Sequence, residues 1–394
     1  MADKKVLIVG AGLGGLAAAS CLMKAGYDVE VYEQASALAE IGAGIQMSAN
    51  PMHVLRYLGI EEEALKKGVK PGGYVFRLHD TGEIIQQFSL SDEHEKQHGA
   101  PYVQLHRADL HEMLAKTARQ LKPDVIHLNR RATHFVEDEQ GVTLHFADGS
   151  TARGDILVGA DGLKSVIARQ IVGPIPATYT GDAAWRVTVP AERLPKPFLD
   201  QVMSVFMGPG GHVVCYYLRG GELLNFVGSV ETDDVSEESW TVKYPWERLK
   251  ADYVGWHPDI QAIVDAADHD QCYRWSLHNR PPVRNWSTKR ATLLGDSAHA
   301  TLPYLAQGAA MAIEDGAVLA RALRQAPSIP EALDLYQRNR VDRTARIVEI
   351  STQNRRLFHL PSKEAIRAEF SKRNEGQSRN QWLYSYNPLT VELK

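Results

Sequence analysis

The chain has 394 residues, of which 44% are hydrophobic and 23% charged, and its formal net charge is -4 at pH 7. This length and composition are typical of a globular protein with a well-buried core and room for two domains. The 44 basic and 48 acidic residues form no strong charge excess, which argues against nucleic acid or an anionic membrane surface as the partner. We therefore expect a small-molecule ligand.

The three cysteines, Cys21, Cys215 and Cys272, are far apart and have no CxxC spacing. This argues against a disulfide framework and against a zinc site, and it favours a reducing compartment. The first strand begins within a few residues of Met1, which leaves no room for a signal peptide, and no run approaches the roughly 18 apolar residues of a membrane span. We expect a cytoplasmic protein without a bound metal.

The amino-terminal segment predicts a βαβ nucleotide-binding unit over about residues 5–35. An apolar run, VLIVG, leads into Gly10, Gly12 and Gly15 of a G-x-G-x-x-G turn, and a second run, VEVYE, ends at Glu33. In such a turn the glycines admit a pyrophosphate against a helix amino terminus, and the acid accepts hydrogen bonds from a ribose. By itself, this unit does not separate FAD from NAD.

The middle of the chain alternates between helical and strand patterns. A glycine-rich loop at 42–50 precedes a helix, residues 73–88 form a hairpin, residues 91–99 form a charged surface loop, and residues 106–121 form a helix. Residues 142–162 form a hairpin followed by a further strand. From about residue 180, alternating β segments predict a large sheet.

These elements predict an α/β fold in which a Rossmann-like FAD-binding domain carries an inserted, mainly antiparallel β-sheet domain, followed by C-terminal helices. We assign 1–72, 100–178 and 283–350 to the FAD-binding domain, 73–99 and 179–282 to the substrate-binding domain, and 351–394 to a helical segment. No second strand–GxGxxG–helix unit is present, since GPGG at 208–211 is typical of a hairpin. A nicotinamide nucleotide would therefore bind only transiently.

The motif that favours FAD is LLGDSAH at 293–299, followed by QGAAMAIED at 307–315. Asp296 in this turn can bond a ribityl hydroxyl. The helix that begins near Gly308 would point its positive end at a ring that becomes anionic when reduced. A clamp with two such distant points suits a long dinucleotide.

Together, GAGLGG with VYEQ, GADGLKS at 159–165 and LLGDSAHATLPYLAQGAAMAIED resemble the group A flavoprotein aromatic monooxygenases, the class of salicylate hydroxylase, 3-hydroxybenzoate 6-hydroxylase and 6-hydroxynicotinate 3-monooxygenase. The resemblance covers essentially the whole chain and implies a set of FAD-binding residues: Gly10, Gly12, Leu13, Gly14, Gly15, Glu33, Gln34, Arg107, Asp161, Asp296, Gly308 and Ala309. The family usually has an arginine three residues after the serine of its middle motif. Here that position is Ala168, and Arg169 follows it, which leaves the role of Arg169 open.

In the strand HVVCYY, His212 and Tyr216 share one face with Val214, whereas Val213, Cys215 and Tyr217 share the other. From the residues alone, the histidine and tyrosine either line a pocket or are packed in the sheet. The resemblance implies that both contact substrate and are catalytic. In this family, reduced flavin and O2 form a C4a-hydroperoxide that attacks an electron-rich ring, so the protein must remove a phenolic proton. The other substrate residues that we predict are Gln46, Pro303 and Tyr304, in the two loops that lead to the flavin.

We therefore expect an FAD-dependent monooxygenase that uses NADH or NADPH and O2 to hydroxylate an aromatic or pyridine carboxylate that bears a hydroxyl group, with or without loss of the carboxyl group. The candidates are 6-hydroxynicotinate, salicylate and 3-hydroxybenzoate, and the pocket residues favour the first two. Arg186 and Arg219 are candidate cations for the carboxylate, although each is more typical of a surface salt bridge. The protein would be a monomer or a homodimer. The rival hypotheses are a flavin oxidase or halogenase on the same scaffold, and a non-catalytic flavin-binding redox sensor.

Overall fold

The predicted nucleotide-binding unit lies at the centre of a five-stranded parallel sheet. The structure, a computed structural model, describes residues 4–38, 43–196, 198–236, 241–372 and 380–394. The strand order is β17-β11-β1-β2-β7, where β1 is Lys5–Val9, β2 Asp28–Tyr32, β7 Ile126–His127, β11 Ile156–Gly159 and β17 Ala291–Leu293. The β1 residues Val6, Leu7 and Ile8 are fully buried, as expected for a central parallel strand covered on both faces. Because β17 joins this sheet, the turns after β1 and β17 meet at its carboxyl edge.

Long helices cover this sheet and pack against one another although they are distant in the sequence. They are α1 (Leu13–Lys24), α5 (Arg107–Leu121), α10 (Gly308–Gln325) and α11 (Ile329–Phe358). α1 packs against α5 and α10, and α10 packs against α11. At the α1–α10 crossing, a Cβ added to Gly316 would lie 2.7 Å from the backbone of Ala18, so the two helices approach as closely as glycine permits.

A seven-stranded sheet forms the second layer. Its order is β16-β12-β15-β14-β13-β4-β5, where β4 is Gly73–Leu78, β5 Ile84–Ser89, β12 Thr178–Pro190, β13 Met203–Gly208, β14 Gly211–Leu218, β15 Leu223–Glu231 and β16 Tyr273–Asn279. All neighbours are antiparallel except β13 and β4. One face packs on α7 (Trp246–Asp252) and α8 (Pro258–Asp265), and the other on the loop at Tyr304, the end of α11 and α12 (Lys363–Ser371).

The remaining elements are short. Two small sheets pair β3 (Gly44–Met47) with β6 (Val103–His106), and β8 (Ala132–Glu137) and β10 (Thr151–Gly154) with β9 (Val142–Phe146). The other helices are α2 (Ala49–Leu58), α3 (Glu61–Lys67), α4 (Asp92–His98), α6 (Val166–Val172), α9 (Asp296–His299) and α13 (Gln381–Tyr384). No helix in the described ranges is both long and apolar enough to cross a membrane.

The predicted fold class is confirmed: a parallel core that contains the βαβ unit, a large mainly antiparallel sheet and C-terminal helices are all present. The loop predicted at 91–99 is wrong, because these residues form α4. Its first turn carries three acids, it ends at Gly99 with φ +78°, and its buried His94 packs 5.2 Å from the ring of Tyr384. The loop predicted at 42–50 is wrong over Gly44–Met47, because these residues form β3, which pairs with β6, and Gly42 lies outside the described residues. The three-unit division stays a prediction, and residues 373–379 of the C-terminal unit lie outside the described residues.

Candidate active site

The first feature of the site is the glycine turn after β1. Gly10 has φ +104°, and a Cβ there would clash with the carbonyl of Ala160. Gly12 differs, because its φ of -73° suits any residue and a Cβ added there would meet no atom within 4 Å. Gly12 is the N-cap of α1, and Leu13 begins the helix. The open space at this helix terminus is what a pyrophosphate would fill.

The predicted ribose acid follows β2. The carboxylate of Glu33 accepts hydrogen bonds from the backbone N–H groups of Ala11 and Ala35, each at 2.9 Å. These bonds tie Glu33 to the glycine turn, and each carboxylate oxygen keeps acceptor capacity for a sugar hydroxyl. Gln34 beside it is exposed.

The acidic turn after β17 lies next to the amino terminus of α10. Asp296 begins α9 with an exposed side chain, and its Oδ1 lies 4.0 Å from a Cβ built on Gly308, the first residue of α10. A Cβ built on Gly14 would lie 2.9 Å from both Ala312 of α10 and Leu294. The structure therefore brings the two motifs together, with the partly buried Ala309 in the first turn of α10. Two helix amino termini and one carboxylate at one sheet edge fit FAD.

A buried ion-pair network, which sequence reasoning missed, fixes this arrangement. Asp315 accepts hydrogen bonds from the N–H of Gly295 at 2.9 Å and from Nε of Arg340 at 2.7 Å, and its Oδ2 lies 2.6 Å from Nε2 of His299. Burial alone would raise the pKa of Asp315, but His299 and Arg340 outweigh burial and hold this pKa at about 2. Asp315 thus anchors the acidic turn to α10 and α11.

The neighbouring Glu314 extends the network toward the substrate loops. It is fully buried and accepts hydrogen bonds from Arg343 at 2.7 Å and from Asn50 Nδ2 at 2.5 Å. Asn50 also donates to Gln307 Oε1 at 3.0 Å, at the N-cap of α10. No short-range spacing links these residues, so only the fold reveals the network.

The middle motif forms a capped turn beside the acidic turn. Asp161 accepts hydrogen bonds from Ser165 Oγ at 2.5 Å and from the N–H of Val166 at 2.8 Å. Burial outweighs these bonds and raises the pKa of Asp161. Ala168, where the family usually has arginine, is buried and donates its N–H to Ser165 Oγ, whereas Arg169 is exposed.

Arg107, predicted to reach FAD, begins α5. It is partly buried, and its backbone N–H donates to the carbonyl of Ala43 at 2.8 Å. This bond joins α5 to the segment that leads into β3, on which Gln46 lies.

His212 and Tyr216 lie on the sheet face that packs toward α11 and the loop before α10. The ring of His212 lies 5.3 Å from that of Tyr304 and 5.0 Å from that of Phe358. Burial holds the pKa of His212 well below its usual range, so the imidazole is neutral at pH 7. Val213 and Cys215 pack on the opposite face, against α7 and α8.

Tyr216 lies in a polar cluster with Gln46 and Tyr102. The hydroxyl of Tyr102 donates to Gln46 Oε1 at 2.6 Å, and Gln46 partly offsets the rise that burial causes in the pKa of Tyr216. Burial raises the pKa of both tyrosines, which keeps them neutral hydrogen-bond donors. Tyr102 was missed because it lies in a short apolar strand region with no motif around it.

The two predicted substrate residues in the loop before α10 differ in their exposure. Pro303 is exposed and begins a short 3-10 turn, whereas Tyr304 is buried and its hydroxyl donates to Asp182 Oδ2 at 2.6 Å. Tyr304 thereby holds the loop against the seven-stranded sheet, four residues before Gly308.

The two candidate cations differ. Arg219 forms a surface salt bridge with Asp109 at 2.7 Å, and 41% of its side chain is exposed. For Arg186 the expectation of a surface salt bridge is wrong, because this arginine is buried and its guanidinium lies 5.0 Å from the ring centre of Tyr273. Arg186 pairs across the sheet with Val227, which pairs with Val214, so Arg186 lies on the His212 face.

Comparison with known proteins agrees with this geometry. A family model described as FAD binding domain matches residues 3–351. The chain is 37% identical over 394 residues to 3-hydroxybenzoate 6-hydroxylase of Polaromonas naphthalenivorans (strain CJ2), covering 98% of this chain and 97% of the relative. It is 35% identical over 399 residues to 6-hydroxynicotinate 3-monooxygenase of Pseudomonas fluorescens, covering 99% of this chain and 96% of the relative. The crystal structure of Klebsiella pneumoniae HpxO complexed with FAD and uric acid superposes with a TM-score of 0.84 at 27% identity, covering 98% of this chain and 97% of that one.

The chain belongs to the FAD binding domain family. Within it, the protein is an FAD-dependent aromatic hydroxylase, a flavoprotein monooxygenase. The named relatives are hydroxylases and monooxygenases, which agrees with the main hypothesis and not with an oxidase or a redox sensor.

Proposed function

We propose that this monooxygenase hydroxylates an aromatic or pyridine ring that carries both a hydroxyl group and a carboxylate. The observation that carries the proposal is the neutral, buried His212 on the same sheet face as the Tyr216–Gln46–Tyr102 cluster, next to the loop that leads into α10. The relatives act on rings of this kind according to their names, which include 3-hydroxybenzoate and 6-hydroxynicotinate.

The FAD would lie between the glycine turn and the acidic turn. The amino terminus of α1 at Gly12 would hold the pyrophosphate, Glu33 the ribose, Asp296 the ribityl chain, and the amino terminus of α10 at Gly308 the flavin ring. When bound, FAD takes electrons from NADH or NADPH and transfers one oxygen atom of O2 to the substrate ring.

The residues of the chain prepare the substrate for this attack. A neutral imidazole at His212 accepts the proton of the substrate hydroxyl at Nε2, which makes the ring electron-rich. The Tyr216 hydroxyl, which lies near Gln46, donates a hydrogen bond to the resulting anion. Tyr304 closes the pocket and excludes water from the reacting ring.

Arg186 is our candidate for the cation that pairs with the substrate carboxylate. It is buried, always charged and on the His212 face. Replacing Arg186 with Gln should raise KM for a carboxylate substrate by about tenfold or more, because hydrogen bonds to charged groups contribute about 1.5–3 kcal/mol. The matched control, Arg219→Gln, removes an exposed arginine and should leave KM unchanged.

The experiment that tests the proposal uses the FAD-loaded protein with NADH or NADPH and a panel of acids: 6-hydroxynicotinate, salicylate and 3-hydroxybenzoate, with benzoate as the acid that lacks a hydroxyl. At least one hydroxylated acid should accelerate oxidation of the nicotinamide and yield a hydroxylated product by mass spectrometry. Unchanged oxidation with every hydroxylated acid, or H2O2 as the only product, would contradict the proposal.

A further inference from the structure

A hydrogen-bonded chain connects His212 to the protein surface. Nδ1 of His212 lies 2.9 Å from Nε2 of His359, and Nδ1 of His359 lies 3.3 Å from Oε1 of Glu231. Both histidines are buried, whereas 46% of the Glu231 side chain is exposed. The chain therefore runs from the candidate site to solvent in two steps.

The carboxylate at the outer end sets the tautomer of both rings. A carboxylate only accepts hydrogen bonds, so Nδ1 of a neutral His359 must carry the proton that it donates to Glu231. Nε2 of His359 is then an acceptor, which requires that His212 donate from its Nδ1. The remaining nitrogen, Nε2 of His212, is left unprotonated, and it has no hydrogen-bond partner among the described residues.

The charged groups around His359 support the assignment in which its Nδ1 donates to Glu231. Asp182 is fully buried, but Arg355 binds both of its oxygens at 2.5 and 2.8 Å, and the Tyr304 hydroxyl donates to it. Asp182 Oδ1 is 3.8 Å from His359 Nδ1, too far for a hydrogen bond, which leaves Glu231 as the acceptor. Arg355 Nη2 also lies 3.7 Å from Glu231 Oε1, so the same guanidinium faces both carboxylates.

The position of His359 favours a transient positive charge. It is the C-cap of α11, where the helix dipole stabilises a cation. Burial lowers the pKa of His359, while Asp182 and Glu231 oppose this effect, so the ring is neutral at rest with carboxylates nearby to stabilise its protonated form.

We propose that His359 and Glu231 form a proton relay that holds His212 with Nε2 unprotonated and passes the substrate's hydroxyl proton to solvent. This inference rests on the proposed function, in which His212 takes that proton. As Nε2 of His212 gains a proton, Nδ1 gives one to Nε2 of His359, and Nδ1 of His359 gives one to Glu231, which releases it to water. The reverse sequence returns a proton to the product and restores both tautomers. His359 and Glu231 are positioning residues, since neither touches the substrate.

The first test measures the tautomers directly, by nitrogen-15 NMR of protein labelled at histidine. His212→Gln and His359→Gln each remove one pair of imidazole signals and so assign them. In the unmodified protein both rings should carry their proton on Nδ1. In Glu231→Gln the tautomers should become mixed, because an amide can also donate. A proton on Nε2 of His212 in the unmodified protein would overturn the relay.

The second test measures turnover across pH. Glu231→Gln should lower kcat for hydroxylation by roughly tenfold, less than the ~100-fold that loss of a general base costs, and should change the pH profile of kcat without changing FAD content or KM. The matched control is Glu222→Gln, an exposed glutamate just before the other end of β15, which should behave like the unmodified protein. Equal kcat and pH profile in the two variants would contradict the relay. If the tautomers are as expected but no aromatic acid is turned over, the proposed function alone is contradicted.

Discussion

At the scale of single residues, the buried carboxylate of Asp315 holds the geometry of the acidic turn. It is fully buried, and it accepts hydrogen bonds from the N–H of Gly295, directly before Asp296, and from Arg340 of α11. Removing one partner of a buried ion pair leaves a charge without compensation, which costs about 3–5 kcal/mol. The fold therefore depends on a residue that does not need to touch the cofactor.

This gives a prediction about acid stability. The pKa of Asp315 is lowered in the folded state to about 2 from 3.8, so its ionised form contributes stability above about pH 4 that is lost as the pH falls toward 2. The contribution is about 2 kcal/mol. Asp315→Asn should be less stable than the unmodified protein near pH 6 in urea unfolding, and the difference should narrow as the pH falls from 5 to 3. A difference that stays constant would show that this ionisation does not stabilise the fold.

Gly12 provides a second prediction, because the protein leaves room for a Cβ at this position. Gly12→Ala should fold with the stability of the unmodified apoprotein, since the added Cβ meets no atom within 4 Å. The methyl group would lie where the pyrophosphate approaches, and overpacking of this kind costs about 1–3 kcal/mol. We therefore expect FAD affinity, measured by fluorescence titration, to fall by about tenfold or more.

The contrasting variant is Gly10→Ala, at φ +104° and against the Ala160 carbonyl, which should lower the stability of the apoprotein itself. Unchanged FAD affinity in Gly12→Ala would contradict our placement of the pyrophosphate.

At the scale of elements, the crossing of α1 and α10 sets the distance between the two FAD-binding turns. Both helices begin at a turn of the site, and Gly316 lies where their backbones approach most closely. Alanine normally stabilises a helix by about 1 kcal/mol relative to glycine. Here the added Cβ would lie 2.7 Å from backbone atoms of Ala18, which cannot move without separating the helices.

We therefore expect Gly316→Ala to destabilise the protein by about 1–3 kcal/mol and to weaken FAD retention, in spite of its better helix propensity. The measurement is the melting temperature with and without FAD, and Gln325→Ala at the exposed end of α10 is the control. A Gly316→Ala protein as stable as the control would show that the crossing is not tight.

The elements also show what the sequence could predict. Strand and helix periodicity placed β1, α1, α5 and the His212 strand with its two faces, because these patterns are local. Periodicity did not find α4, which is short and polar, nor the burial of Arg186, which depends on neighbouring strands. The bond between His212 and His359 joins residues 147 positions apart, and no local spacing encodes such a contact.

At the scale of the whole molecule, FAD would join the turn after β1 to the turn after β17, which lie far apart in the sequence. Because FAD binds the folded state, a concentration of 100 times its Kd should stabilise the protein by about 2.7 kcal/mol. Riboflavin lacks the pyrophosphate and the adenosine, so it cannot reach the glycine turn and should raise the melting temperature much less. Equal stabilisation by FAD and riboflavin would contradict the binding of FAD at both the glycine turn and the acidic turn.

The central claim is that a hydroxylated aromatic acid binds between FAD and the His212 face of the seven-stranded sheet. The most direct measurement is a crystal structure of the protein with FAD and the acid that it turns over. We predict FAD across Gly12 and Asp296, with the substrate hydroxyl oxygen about 2.6–3.2 Å from Nε2 of His212. An acid bound on the opposite face, beside Tyr217, or FAD absent from either turn, would contradict the account.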